Sequence, residues 1–255
     1  MSGPQAAAAS YEIAPAIWAL PHGLLLCGPT RTLVVADAHL GYEDVIGGAL
    51  PLWSTTQAVA TLAIAIAHHG AREIVFLGDA IHGSSMSQGA ASHVAGALDT
   101  LRERCEVIAI AGNHEGRTRG EKILGATVES LERNGWLLTH GDIFKPSYRC
   151  IVGHLHPSLS LGGGTTIPAF LGNDRLIVVP ALTPYSSGLD VLSTSCAAAI
   201  RSLGALPEGL TVIAADTQRV YPFGRLDQLK ATLRRERKHT APRSRFRVPR
   251  LQSDR

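Results

Sequence analysis

An α/β fold is what this 255-residue sequence predicts, and three observations carry that expectation. Short runs rich in β-branched residues and nearly free of charge recur at residues 32–36, 74–77, 107–111, 136–139 and 150–152. Such runs mark strands covered on both faces. Between the early runs lie residues 55–67 and 87–104, whose apolar positions recur at near-helical spacing and predict crossover helices. Each run, finally, is followed at once by Asp, Asn or His, directly or after one Gly. In open α/β sheets ligands collect outside the carboxyl ends of the strands, so these distant segments are expected to meet at one rim.

Taken in chain order, residues 11–27 supply the first strands, with Gly28-Pro29 as punctuation before the strand at 32–36. The helix at 55–67 ends at His68-His69-Gly70, where a helix C-terminus favours cations and a glycine stop. The strand at 74–77, the helix at 87–104 and the strand at 107–111 follow, then the strands at 136–139 and 150–152. Residues 167–181 read as two strands around a Gly172-Asn173-Asp174 turn, and residues 211–214 and 219–221 flank Asp216-Thr217 like a closing hairpin. Residues 225–238 are compatible with a short helix, whereas residues 240–255, with Pro242 and Pro249 and few apolar side chains, read as disordered. The expected organisation is a flexible leader (1–10), one catalytic domain (11–224) and a basic tail (225–255). Periodicity alone also permits a doubly wound single sheet.

The segments that end the runs are Asp37-Ala38-His39, Gly78-Asp79, Gly112-Asn113-His114-Glu115, His140-Gly141-Asp142 and Gly153-His154-Leu155-His156. Asp37 and His39 are two residues apart, so in an extended segment they point to the same side and can reach one ion; His154 and His156 repeat the spacing, although each can serve a different ion. Asp79 at a Gly-Asp turn has two oxygens with which to bridge. Asn113 offers a neutral carbonyl oxygen and His140 another imidazole. With mixed nitrogen and oxygen donors and no thiolate, manganese, iron or zinc fits, and ligand type alone does not choose.

This ordered series resembles the motifs of the calcineurin-like metallophosphoesterases, from residue 33 to residue 156. The resemblance implies a four-layer α/β/β/α sandwich with two divalent metal ions at one edge, manganese foremost, with iron or zinc as the other choices. One ion would be held by Asp37, His39, Asp79 and His156, and the other by Asp79, Asn113, His140 and His154. It also implies hydrolysis of phosphodiesters by metal-activated water, so that no Ser or Cys nucleophile is needed. His114 would then be the catalytic side chain, stabilising the phosphate or protonating the leaving oxygen. His82, where purple phosphatases carry tyrosine, and Arg117 are the candidate substrate-binding residues. The segment from residue 167 to Val191 is similar to the ligase-associated DNA damage response endonuclease family, which adds a DNA or RNA substrate and a repair ligase or helicase as expected partners. A phosphomonoesterase, a nucleotide pyrophosphohydrolase and a non-catalytic scaffold of the same fold are the alternatives.

Other features are weighed against plainer explanations. His68, His69 and His93 read as structural, and His22 and His239 carry no pattern. Asp142 is either an orienter of a ligating imidazole or a loop cap. Cys27, Cys105, Cys150 and Cys196 are widely spaced and form no Cys-x-x-Cys pair, which fits reduced residues of a cytoplasmic protein. No apolar run approaches the roughly 20 residues that cross a bilayer, and residues 1–10 have no basic n-region. Charge is uneven: residues 225–255 hold eleven Lys or Arg and three Asp or Glu, net +8, and the remainder holds thirteen and eighteen, net −5. A basic arm beside a phosphoesterase site is expected to capture nucleic acid through counterion release, with a merely solubilising tail as the other reading.

Overall fold

Three separate apolar cores, each shared by elements distant in sequence, define four layers of structure. The computed structural model describes residues 8–47, 51–82, 86–113, 121–142, 149–186 and 188–240, and the side chains of Glu121 and residues 237–240 are outside that description. The first sheet has six strands in spatial order β1 (Tyr11–Ala14), β2 (Ile17–Ala19), β3 (Leu25–Cys27), β4 (Thr32–Val35), β5 (Glu73–Phe76) and β6 (Glu106–Ala109). The strands pair antiparallel as far as β4, and β4, β5 and β6 run parallel. Parallel neighbours need crossovers, and α2 (Trp53–His69) and α3 (Gln88–Arg102) provide them. A short α1 (Tyr42–Val45) precedes α2.

The second sheet starts after α4 (Glu121–Leu124) with β7 (Ser130–Arg133), β8 (Trp136–Thr139) and β9 (Cys150–Val152). It continues through β10 (Pro157–Gly162), β11 (Thr165–Gly172), β12 (Leu176–Val178) and β13 (Leu189–Asp190), and β14 (Thr211–Ala215) joins β11 to β15 (Val220–Arg225). Strands β8, β9 and β12 are parallel at its centre. Helix α5 (Thr194–Ser202), whose N-cap Ser193 accepts the Cys196 N–H at 3.0 Å, and α6 (Leu226–Thr240) complete the chain.

Strand alternation explains why the runs are apolar throughout. In β4 and β5, Leu33, Val35, Ile74 and Phe76 face α2 and α3, packing with Leu62, Ile66, Val94 and Leu98. The intervening Val34 and Val75 face the opposite way, onto Leu138, Ile151, Phe170, Ile177 and Ile213 of the second sheet. Cys150, Val152, Leu176 and Val178 lie on that sheet's far face with Cys196, Ile200 and Leu226. A strand with cores on both sides has no polar face to show. The four-layer sandwich replaces the single doubly wound sheet that periodicity alone permitted.

The expected elements are present at nearly the expected places, and the Gly172-Asn173-Asp174 turn is closed by the Asn173 side chain, which accepts the N–H groups of Arg175 and Leu176 at 2.8 and 2.9 Å. Strands β7, β10 and β13 and helices α1, α4 and α5 were not foreseen. The helix compatible with residues 225–238 is present as α6, and its first turn packs on the third core through Leu226 and Leu229. The disorder expected for residues 240–255 falls, but for Thr240, outside the described residues. The four cysteines are unpaired, and burial pushes the Cys27 thiol up to about 12 and that of Cys196 to about 11. Among the described residues no helix is long and apolar enough to cross a membrane.

The two sheets are also joined by an ion pair at the end of the strands away from the ligand motifs. Arg133 of β7 donates from Nε and Nη2 to the two carboxylate oxygens of Glu73 at 2.6 and 2.8 Å, and Thr32 of β4 donates to the same carboxylate. The Arg133 hydrogen bond, helped by Thr32, holds the Glu73 carboxyl below its usual range although burial opposes it. A folded pKa below the unfolded one means that the pair's stabilisation is present above the unfolded value of about 4.3 and fades as pH falls through the folded one. Glu73→Gln should therefore lower unfolding free energy at pH 7 by about 2 kcal/mol. In urea titrations the gap between variant and native protein should begin to narrow below the unfolded value and close as pH falls through the lower folded one.

Candidate metal centre

Both sheets present their strand ends at the same rim. The first sheet brings Asp37 and His39 after β4, Asp79 after β5 and Asn113 after β6; the second brings His140 after β8 and His154 and His156 after β9. Backbone hydrogen bonds stitch these loops together. His39 N–H donates to the Asp79 carbonyl at 2.9 Å and Leu40 N–H to the Ala80 carbonyl at 2.8 Å, so the first two ligand loops run side by side. Gly153 N–H donates to the His140 carbonyl at 3.0 Å, joining the last two.

Within this frame the donor atoms fall into two clusters. Asp37, His39 and His156 place ligand atoms within 4.8 Å of one another, and so do Asp79, His140 and His154. The clusters touch: His154 N–H donates to Asp37 Oδ2 at 2.9 Å, and His140 Nδ1 lies 3.9 Å from Asp37 Oδ1. His140 Nε2 is 3.5 Å from Asp79 Oδ2 and 2.9 Å from Asn113 Oδ1, which puts the Asn113 carbonyl beside the second cluster. Asn113 itself is exposed. His154 and His156, two residues apart, thus serve different clusters, whereas Asp37 and His39 share one.

The backbone that achieves this is not the extended one expected from the spacing. Asp37, His39, Asp79, His154 and His156 all have positive φ, between 44° and 62°. Left-handed backbone costs an L-residue on the order of 1 kcal/mol or more, and such outliers persist only where the surroundings fix them. Here they turn each side chain off its strand and into the rim. The glycines of the motifs have a second explanation. A Cβ on Gly112 would strike the Asp79 backbone nitrogen and Oδ1, one on Gly78 would strike the His140 ring, and one on Gly153 would lie 2.8 Å from Asp37 Oδ2. Each glycine stands where a ligand from another strand needs the space.

Electrostatically the rim is prepared for cations. Asp37 is fully buried, and among the described residues its Oδ1 accepts no hydrogen bond although His156 Nε2 lies 3.1 Å away. A buried carboxylate oxygen without a donor is costly, and a divalent ion in the adjacent cluster would satisfy it. His140 Nδ1 donates to the Leu77 carbonyl at 2.7 Å; since that oxygen can only accept, the proton sits on Nδ1 and the Nε2 lone pair faces the cluster. Leu77, and not Asp142, therefore orients this imidazole. Asp142 is exposed and acts on His154 as a nearby charge, which raises its pKa together with Asp37 and Asp79. Burial, the largest influence, outweighs them and keeps the His154 pKa below the usual value, which favours the neutral ring that coordinates. His156 Nδ1 pairs with Ser186 Oγ at 2.6 Å. No sequence signal pointed to Ser186, which lies in a loop beyond the motifs. The buried carboxylates, the mixed oxygen and nitrogen character of the donors and the unsatisfied carboxylate oxygen all fit a pair of divalent ions.

The remaining expected residues are placed as follows. His82, half-buried, has Nδ1 2.9 Å from His39 Nδ1 and so borders the first cluster. His114, Glu115 and Arg117 lie outside the described residues. His68 and His69 end α2 and His93 is on the surface of α3, bonded to Thr56 at 3.1 Å, away from the rim.

Comparison with known proteins follows the geometry. The family model described as Calcineurin-like phosphoesterase matches residues 30–189, a span that contains every ligand motif. No curated protein matches. Among solved structures, the nuclease MPE of Pseudomonas putida is similar in fold, with a TM-score of 0.64, 22% identity and coverage of 87% of this chain and 100% of that one. YfcE, a phosphoesterase from E. coli, matches with a TM-score of 0.41 and 17% identity over 74% of this chain and 95% of that one.

If the unsatisfied Asp37 oxygen marks a cation site, divalent ions should raise the thermal midpoint progressively, by the equivalent of about 2.7 kcal/mol at a hundredfold excess over Kd, and a chelator should reverse it. Differential scanning fluorimetry of Asp37→Asn should show that response largely lost. An equal response in the variant would contradict the assignment.

Proposed function

Because the chain belongs to the calcineurin-like phosphoesterase family, hydrolases acting on ester bonds, we propose that it is a binuclear metal-dependent phosphodiesterase whose substrates include DNA or RNA. The observation that carries this reading is the meeting of two three-residue donor clusters beside the unsatisfied carboxylate oxygen of Asp37. Asp37, His39, Asp79 and His156 would hold one ion, and Asp79, Asn113, His140 and His154 the other, Asp79 being common to both. Manganese is the expected metal, and iron or zinc suits the same donors. Bound divalent ions supply Lewis acidity toward a phosphoryl oxygen and the acidification of water that ester hydrolysis needs near neutral pH.

The chain's own groups do the rest. Asp37 and Asp79, at 0% and 1% exposure, are shielded from solvent, so their charge acts through a low-dielectric surrounding. The Leu77 carbonyl fixes the ring of His140 and Ser186 that of His156, so that little reorganisation is required when charge develops on the phosphate. His114, next to Asn113 in the chain, is assigned to the transferring phosphoryl group, stabilising it or giving a proton to the leaving oxygen. Arg117 and His82 are assigned to substrate binding. The nuclease of similar fold supports a polynucleotide substrate, as does the basic C-terminal arm. A repair ligase or helicase would be a partner in that setting.

Separate variants test the separate roles. Asp79→Ala and Asn113→Ala should abolish metal-stimulated hydrolysis of bis(p-nitrophenyl) phosphate, while His114→Ala should keep its ions by elemental analysis and lose turnover by about a hundredfold or more. Unchanged turnover in Asp79→Ala would rule the reading out. Since the first turn of α6 packs on the third core, the helix is kept and the arm is tested by removing residues 241–255 alone. The truncated protein should bind a single-stranded oligonucleotide more weakly, with a shallower dependence of log K on log salt concentration. Identical affinity and slope would refute the arm's role.

A further inference from the structure

We infer that the cleft opening beside the first cluster seats one flat aromatic ring of the substrate, a nucleobase next to the scissile phosphodiester, and that Tyr185 is its main contact. This inference rests on the phosphodiesterase reading and narrows it to nucleotide esters.

Aromatic side chains lead outward from the donor cluster in an unbroken series. The ring of His156 lies 5.6 Å from that of His39, His39 lies 4.9 Å from His82, His82 lies 4.5 Å from Tyr42, and Tyr42 lies 5.0 Å from Tyr185. The two inner rings belong to the candidate ligands, so a phosphate held there would have its organic portion against the outer ones. Those outer rings border a cleft of ≈ 190 Å³, floored by His39 and His156 and completed by Thr183 and Ser186. Clefts that swallow a drug-sized molecule start at roughly 300 Å³. This one has room for a single ring, not for a whole nucleotide.

Its chemistry selects the kind of ring. Apart from the cluster imidazoles, the described residues that line it offer aromatic faces and hydroxyls, with no Lys, Arg, Asp or Glu among them. Among these described side chains a second phosphate would meet no Lys or Arg, and a charged amine no carboxylate. A neutral π-face fits, and every nucleobase has one. Tyr185 itself is 44% exposed, although a large aromatic side chain ordinarily gains by burial. It is held by a fixed backbone: Leu182 N–H donates to the Ala36 carbonyl at 2.9 Å, Thr183 N–H to the Asp37 carbonyl at 3.3 Å, and Tyr185 N–H to Thr183 Oγ1 at 3.3 Å. The exposed ring is therefore anchored to the residue that begins the metal site, and a base stacked on it loses little entropy to loop ordering.

The test compares steady-state hydrolysis of the dinucleotide thymidylyl-thymidine with its two analogues in which one base or the other is replaced by hydrogen, using the full chain and manganese. For native protein, KM should be about tenfold higher for one abasic analogue than for the parent. Tyr185→Ala should raise KM for the parent to a similar extent and erase that difference, while Tyr185→Phe, which keeps the π-face, should preserve it. Equal KM values for all three substrates with native protein, or discrimination that survives in Tyr185→Ala, would overturn the inference. Failure to hydrolyse any phosphodiester, bis(p-nitrophenyl) phosphate included, would instead overturn the phosphodiesterase reading on which it depends.

Discussion

The constraint on which the rest of the structure depends is crowding at the carboxyl ends of β4, β5, β8 and β9. Two carboxylates and several imidazoles converge there, and Asp37 sits among them with a buried oxygen that no hydrogen bond from the described residues satisfies. Neighbouring features follow from making room. Gly78, Gly112 and Gly153 vacate the volume that Asp37, Asp79 and His140 occupy. The ligand residues themselves take left-handed backbone, which redirects side chains that a straight strand would send into the core or toward a helix.

Such a rim is unstable by itself, and the layered body offsets it. Left-handed φ at five donor residues and an unsatisfied buried carboxylate oppose folding, while three apolar cores spread over two sheets and their helices favour it. The division of labour is visible along single strands. Val34 and Leu33 serve two different cores, and three or four residues later the chain leaving the same strand delivers Asp37 to the rim. Bound cations would remove much of the electrostatic penalty, so occupancy and stability are coupled.

Much of this was legible in the sequence because the runs and their terminal residues are local signals. Charge-free β-branched runs gave the central strands, and the Asp, Asn and His that follow them gave the rim. What could not be read was set by neighbours distant in sequence. The spacing of Asp37 and His39 suggests an extended segment, yet both adopt positive φ in a loop whose His39 N–H is taken by the adjoining Asp79 carbonyl. The partner that orients His140 is a backbone carbonyl, which no motif can announce. Ser186 and Tyr185 come from a loop that returns to Asp37 only through tertiary contacts, and α6 looked like free tail because its anchoring residues, Leu226 and Leu229, are few among many charges.

The central claim is that two cations sit in two adjoining clusters. Anomalous diffraction from crystals of the protein loaded with manganese tests it most directly. The account predicts two peaks at the strand-end rim, one enclosed by Asp37, His39 and His156 and the other by Asp79, Asn113, His140 and His154, with Asp79 reaching both. Peaks elsewhere, or a fully loaded protein with none among these side chains, would contradict it.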